Sequence, residues 1–305
     1  RRCRPGETPM KTLNALACTG LEQLADGVWQ HHSQFSQAVN FVHADGTLLT
    51  LFRYGKGIGP TGILLSSTQF AQLANLPRLV KQGRILWGAG VVIRPRRMLK
   101  LRIPVGHSFL LDLTSYSCQS GLCAALNQPL ADMSFYSSIM GELERWRRGE
   151  FPDWGWLIGK GPGLTPSGDD MLAGMLAMLY GAGFSDRLHS FIPPADQLTS
   201  LTTSVSCSYL NSARRGEFSL PVVKVMRGLR STGDPRRAIQ RLLAVGHTSG
   251  ADTLLGMAFA QHWLQRVDSR RTHARSGNHP YVYTGRRDRE FLPRGQPAAQ
   301  NAGGD

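Results

Sequence analysis

Ala38-Val-Asn-Phe-Val-His43 and Thr47-Leu-Leu-Thr-Leu-Phe-Arg53, joined through Ala44-Asp45-Gly46, decide the front half of the chain. Two runs of β-branched and aromatic residues around an Asp-Gly pair read as a β-hairpin. Working outward, Gly62-Ile-Leu-Leu65, Arg84-Ile-Leu-Trp87, Gly90-Val-Val-Ile93 and Leu99-Lys-Leu-Arg-Ile103 are further short strands, with a short helix over Thr68–Leu76. Many short strands punctuated by glycine predict a small antiparallel sheet or barrel. The period then changes. Ala131–Gly149, Asp169–Tyr180, Gln197–Ser212, Leu220–Leu229, Pro235–Val245 and Ala251–Arg266 read as helices. A β-rich front followed by a helical back is the α+β class. We expect a leader over residues 1–19, with Met10 as the natural start, a β-rich domain over 20–120, a helical domain over 121–266, and a basic disordered tail over 267–305.

Composition narrows the function classes. The 305 residues are 41% hydrophobic and 18% charged, which suits a globular chain with a real core. The longest apolar run, Met171–Phe184, is broken by Gly174, Gly181 and Gly183. It is shorter than the ~20 residues of a membrane span, so no membrane partner is expected. Five scattered cysteines without a C-x-x-C pair argue against a disulfide framework and against a zinc site, and favour the cytoplasm. The net charge is +14, of which residues 1–9 carry +2 and residues 266–305 carry +4, leaving +8 between them. That balance fits small anionic ligands. No basic stripe with interleaved aromatics is present, so nucleic acid is not an expected partner.

The helical half contains an internal repeat. Ser167-Gly-Asp-Asp-Met-Leu-Ala-Gly-Met175 and Ser249-Gly-Ala-Asp-Thr-Leu-Leu-Gly-Met257 agree at six of nine positions, 82 residues apart. In each copy Ser precedes Asp by three, the capping-box spacing, so Ser167 with Asp170 and Ser249 with Asp252 are expected to cap their own helices. Gly174 and Gly256 stand at equivalent mid-helix positions. Glycine costs up to about 1 kcal/mol there against alanine, which a close helix crossing would offset. Two capped helices packed through glycine need no ligand. The segments before the caps are richer than a cap requires. Gly159-Lys-Gly-Pro-Gly163 lets backbone N–H groups approach a phosphate or carboxylate, with Lys160 adding charge. His247, flanked by Gly246 and Thr248, lies where a helix dipole favours neutral imidazole. If both starts face one cleft, each adds unpaired N–H groups and roughly half a positive charge to an anion site.

A second glycine-rich segment, Arg53-Tyr-Gly-Lys-Gly-Ile-Gly-Pro-Thr-Gly62, leads from strand to strand and so is not a dinucleotide-binding turn. It is either a plain turn or a basic loop that brings Arg53 and Lys56 to the ligand. Thr203-Ser-Val-Ser-Cys-Ser-Tyr209 lines a helix with hydroxyls, of which Ser206 or Ser208 could face the site.

Taken together, Leu157–Asp170, Thr202–Leu210, Leu243–Gly256 and Leu48–Gly62 resemble the AllH-type subunit of oxamate carbamoyltransferase, over residues 25–265. The resemblance implies a role in anaerobic allantoin (purine) catabolism: oxalurate and phosphate become oxamate and carbamoyl phosphate on several dissimilar subunits. The Ser-Thr-Arg-Thr phosphate loop of ordinary carbamoyltransferases is missing, so a catalytic chain here would need a different site. On this reading Lys160, Gly161 and Gly163 cradle phosphate, and Thr165, Ser167, Thr248 and Ser249 orient the second substrate. His247 donates to the carbamoyl oxygen or moves the amine proton, and Asp170 and Asp252 fix the loops or hold Mg²⁺, the one cofactor these residues suggest. The alternatives are a non-catalytic ligand-binding or scaffolding subunit, and a metal-assisted hydrolase using Asp169, Asp170 and Asp252.

Overall fold

The computed structural model describes residues 10–106, 108–122, 125–230 and 233–276. The chain divides into two compact units. One comprises the residues up to Arg102 with Phe218–Val223, the other Ile103–Glu217 with the residues from Lys224 on.

Among the described residues the first unit has nine strands: β1 (Lys11–Ala15), β2 (Ala17–Thr19), β3 (Gly27–Gln34), β4 (Ala38–Val42), β5 (Leu48–Arg53), β6 (Gly62–Leu65), β7 (Arg78–Gln82), β8 (Ile85–Gly88) and β9 (Val91–Pro95). They form one sheet in the order β1-β9-β8-β7-β3-β4-β5-β6-β2. The expected hairpin is β4–β5, paired from Ala38↔Phe52 to Val42↔Leu48. Asp45 shapes its turn by accepting the Thr47 N–H at 3.0 Å and the Thr47 hydroxyl at 2.6 Å. Val39, Phe41, Leu49 and Leu51 point inward with no exposed surface.

Two pairings, β1–β9 and β5–β6, are parallel, so the sheet is mixed where an antiparallel one was expected. The parallel pair β5–β6 arises because residues 54–61 cross over instead of turning back. One residue separates β1 from β2, yet these strands pair with opposite ends of the sheet, β9 and β6. The Leu16 N–H, between them, donates to the Leu64 carbonyl at 2.9 Å. Lys11–Thr19 therefore draws the sheet into a nearly closed barrel and covers edges that would otherwise carry unpaired backbone groups. These residues fall in the stretch read as leader, and the structure corrects that reading for Lys11–Thr19, where Leu13, Ala15, Ala17 and Cys18 are buried, while residues 1–9 lie outside the described residues. Leu99–Ile103 joins no strand ladder; Leu99 N–H and the Leu101 carbonyl bond singly to Cys18 and Phe218. Helix α1 (Ser67–Leu73) adds Phe70 and Leu73 to the barrel core, and Ser66 with Gln69 caps it reciprocally.

The second unit is helical: α2 (Tyr136–Arg147), α3 (Ser167–Gly181), α4 (Ala195–Leu198), α5 (Ser204–Ala213), α6 (Leu220–Gly228), whose first residues belong to the first unit, α7 (Arg236–Leu243) and α8 (Ser249–Ser276). The single helix expected over Gln197–Ser212 is two, because Thr203 caps α5 by accepting the Ser206 N–H at 3.1 Å. Helix α8 continues past Arg266 to Ser276, into the stretch expected to be tail. Val267, one turn after the buried Trp263, is 2% exposed and carries the apolar stripe on. The remainder of the expected tail lies outside the described residues. Trp146, Trp154, Phe191, Phe259 and Trp263 form the aromatic core, with the Trp146 and Phe191 rings 5.2 Å apart. Among the described residues no helix is long and apolar enough to cross a membrane.

Candidate functional site

Helices α3 and α8 cross at their repeated glycines. A Cβ on Gly174 would stand 2.0 Å from the Thr253 carbonyl oxygen, and one on Gly256 would stand 1.9 Å from that of Met171. Thr253 and Met171 are themselves equivalent in the repeat, so the contact is reciprocal. Only glycine lets the backbones approach this closely, which is the offset that the mid-helix glycines required.

This crossing brings the two helix starts together. Ser167 and Ser249 are the first residues of α3 and α8, and Pro166 holds the cap position of α3 with no side-chain cap bond. The expected capping boxes are therefore replaced by an exchange. The Ser249 hydroxyl hydrogen-bonds Asp170 on the other helix, and the Ser167 hydroxyl hydrogen-bonds Asp252. Thr165 adds a second hydroxyl to Asp170, and Thr248 a second to Asp252. The Gly121 N–H donates to Asp252 Oδ1 at 2.8 Å. Gly121 is wedged in place: a Cβ there would lie 2.0 Å from Ser167 Oγ and 2.9 Å from Thr248 Oγ1. Both carboxylates are buried, and Oδ2 of each is shielded from solvent without a hydrogen-bond partner.

Burial pushes the Asp170 carboxyl well above the usual aspartate range; the Asp252 and Asp169 carboxylates push the same way, and the Ser249 and Thr165 hydroxyls oppose them. Burial also raises Asp252, against its three donors Ser167, Gly121 and Thr248. Tyr209 on α5 is pushed up to about 12, by burial first and by Asp170 second. The carboxylates thus occupy the positive ends of two helices, the place an outside anion was expected to take.

The loop before α3 is held from below. Asp169 accepts the Gly159 N–H at 2.8 Å through Oδ1 and the Thr202 hydroxyl through Oδ2. The Leu164 carbonyl accepts the hydroxyls of Thr203 and Ser206, the latter at 3.4 Å, so Ser206 supports this loop. Gly161 lies against Ser167, and Gly159 against the Leu201 carbonyl. Packing accounts for these two glycines, whereas Gly163 stands in open space. Three first-turn N–H groups of α3 are already used: Gly168 donates to the Lys160 carbonyl at 3.0 Å, and Asp169 and Asp170 donate to Pro166 at 2.9 and 3.1 Å. The expectation of free N–H donors at this helix start therefore does not hold for Gly168, Asp169 and Asp170.

Lys160 is exposed, with its ammonium 5.7 Å from the Phe135 ring centroid. His247 is exposed in the turn before α8, and Thr165, Thr248 and Ser249 are half-buried. Arg53 and Lys56 belong to the barrel unit, where Arg53 Nε donates to Ser67 Oγ at 3.2 Å and Lys56 is exposed. Their glycine-rich loop is fastened within that unit by Thr19, whose hydroxyl donates to the Gly59 carbonyl at 2.6 Å. Asp169 is tied to Gly159 and Thr202, and among the described residues no group of three His, Cys, Asp or Glu could hold a metal ion. Sequence reasoning missed Gly121 and gave Tyr209 no role. Nothing at Gly121 marks a segment 131 positions before Asp252, while Tyr209 sat inside a quoted motif.

A nearly closed barrel unit and a helical unit built on a glycine-crossed, duplicated helix pair together define an α+β protein with a buried Ser/Asp cluster. Two family models match the chain: oxamate carbamoyltransferase subunit AllH over residues 157–261, and the AllH family N-terminal domain over residues 13–108. The chain belongs to the AllH family. A subunit of oxamate carbamoyltransferase implies further subunits beside it. No solved structure matches the chain.

Proposed function

We propose that this chain is the substrate-handling subunit of a cytoplasmic oxamate carbamoyltransferase, serving purine (allantoin) catabolism with dissimilar partner subunits. In the reaction a phosphate oxygen attacks the carbamoyl carbon of oxalurate. The bond from that carbon to the inner nitrogen breaks, and the proton lost by phosphate passes to the nitrogen, giving oxamate and carbamoyl phosphate. The observation that carries this reading is the meeting of both motif copies in one polar cluster. The cluster is Ser167, Asp170, Ser249 and Asp252, and Lys160, Gly163 and His247 are exposed residues of the segments that precede α3 and α8. On this reading Lys160, Gly161 and Gly163 hold phosphate, Thr165 and Thr248 orient oxalurate, and His247 moves the proton. The test is turnover of the complex assembled with its partner subunits. His247→Ala should lower kcat/KM about tenfold or more, in the range of general acid–base catalysis, with the melting temperature unchanged. Parent-like turnover in that variant would remove His247 from the chemistry.

A non-catalytic role is favoured by one specific observation: the N–H groups of Gly168, Asp169 and Asp170 in the first turn of α3 are spent on Lys160 and Pro166. In that case the partner subunits alone would bind oxalurate and phosphate as tightly as the complete complex does.

A further inference from the structure

Two buried carboxylates stand at the crossing of α3 and α8, and among the described residues the titratable groups facing Asp170 are Asp252 from α8, Asp169 from its own helix and Tyr209 from α5. None of these is a cation. Two neighbouring buried carboxylates without a counter-ion do not both stay ionised at modest cost, so one retains a proton. The donors decide which one. Asp252 receives a backbone N–H from Gly121 besides two hydroxyls, whereas Asp170 receives two hydroxyls, which can rotate to accept from an acid. Asp252 is the carboxylate and Asp170 the acid. The partnerless Oδ2 atoms then differ in kind: Asp170 can offer an O–H, and Asp252 offers a lone pair.

We infer that Asp170 and Asp252 form an acid–carboxylate couple that grips a primary amide, Asp170 donating to its carbonyl oxygen and Asp252 accepting its N–H. This rests on the reading given under Proposed function, because –CO–NH₂ is the group shared by oxalurate, oxamate and carbamoyl phosphate. It inverts the expectation for the helix starts: the buried cluster recognises the neutral end of the substrate, and the anionic end is left to the exposed residues. The way in passes Thr165 and Thr248, half-buried side chains whose hydroxyls bond the two carboxyl groups and must swing aside. An isolated carboxylate ligand would meet Asp252 as a like charge and lose the contact that an amide N–H gains.

The experiment is calorimetric titration of the full chain with oxamate and with oxalate, which differ by amide against carboxylate. Oxamate should bind at least tenfold more tightly, and its affinity should fall as alkali removes the Asp170 proton. Asp170→Asn keeps a donor and should retain oxamate binding with a flattened alkaline limb; Asp252→Asn should lose at least tenfold. Equal affinity for oxalate, no oxamate binding, or equal losses in the two variants overturns the couple. The oxamate–oxalate comparison needs no variant, so it holds even where Asp252→Asn does not fold. A complex that fails to turn over while the chain still prefers oxamate defeats the proposed function alone. One that turns over with parent KM in Asp252→Asn defeats the couple alone.

Discussion

The starts of α3 and α8 carry the same signature, and the structure treats them alike in packing and differently in charge. Gly168 and Gly250 each lie on a leucine carbonyl, of Leu157 and Leu242, and Gly174 and Gly256 each lie on a carbonyl of the opposite helix. The departures are electrostatic. Asp169, which ties down Gly159 and Thr202, has Ala251 at its equivalent position. Asp252 gains the Gly121 N–H, while Asp170 gains proximity to Tyr209. Duplication supplies a symmetric frame, and the unmatched positions make its two carboxyl groups unequal.

The largest expected effect tests the frame. Gly174→Ala and Gly256→Ala each place a methyl group within about 2 Å of a backbone carbonyl that cannot rotate away. Each should lose about 3 kcal/mol by urea unfolding, despite the better helix propensity of alanine. A loss in one variant and not the other would break the symmetry of the crossing.

The inequality of the carboxyl groups is tested by pH. Asp170 has a folded-state value well above its ordinary value near 3.8. Such a group contributes stability fully below the unfolded value, and loses it as pH rises through the folded one. Asp170→Asn should thus match the parent near pH 3 and become progressively more stable relative to it as pH rises. Asp252→Asn should show a weaker trend of the same sign, since its Oδ1 can still accept the Gly121 N–H. A flat difference for Asp170→Asn between pH 3 and 9 would show that Asp170 ionises normally.

A smaller effect separates the exchange from the capping that the spacing suggested. Ser167→Ala and Ser249→Ala should each cost about 1 kcal/mol under either account. Double-mutant cycles tell them apart: Ser249 should couple to Asp170, and Ser167 to Asp252, with little coupling within each helix. Strong coupling of Ser167 to Asp170 would restore the local capping box.

The capping spacing misled for a physical reason. Ser66 and Gln69 satisfy the rule and form the box, with the Gln69 amide oxygen accepting the Ser66 N–H while its NH₂ group donates to the Asn14 carbonyl. At Ser167 the helix crossing puts Asp252 within reach, and a single sequence does not show which acceptor is nearer. The hairpin around Asp45-Gly46 was legible because its signal is local, as was the crossing, because glycine at matched positions has few other causes. The barrel closure was not legible. Lys11–Ala15 and Ala17–Thr19 are too short to show a period, and their partners lie some 45 to 80 residues away. Asp169 was grouped with Asp170 and Asp252 by its residue type alone, and Gly159 and Thr202 claim it.

The smallest expected change in stability bears on Lys160, an exposed residue in the loop before α3. Among the described residues the Lys160 ammonium meets the Phe135 ring, 5.7 Å from its centroid, a contact worth about 0.5–1 kcal/mol at an exposed position. Lys160→Ala should therefore lower stability by no more than that amount. Phe135→Leu removes the same contact while leaving the ammonium in place, so the two variants separate packing from charge. If Lys160 holds phosphate, Lys160→Ala raises the phosphate KM of the assembled enzyme about tenfold, equivalent to about 1.4 kcal/mol, and Phe135→Leu changes it far less. The effect of Lys160→Ala should also shrink in high salt, because an exposed ammonium is screened. Equal stability losses in both variants with an unchanged phosphate KM would leave Lys160 a packing residue, and the anionic end of the substrate would fall to another subunit.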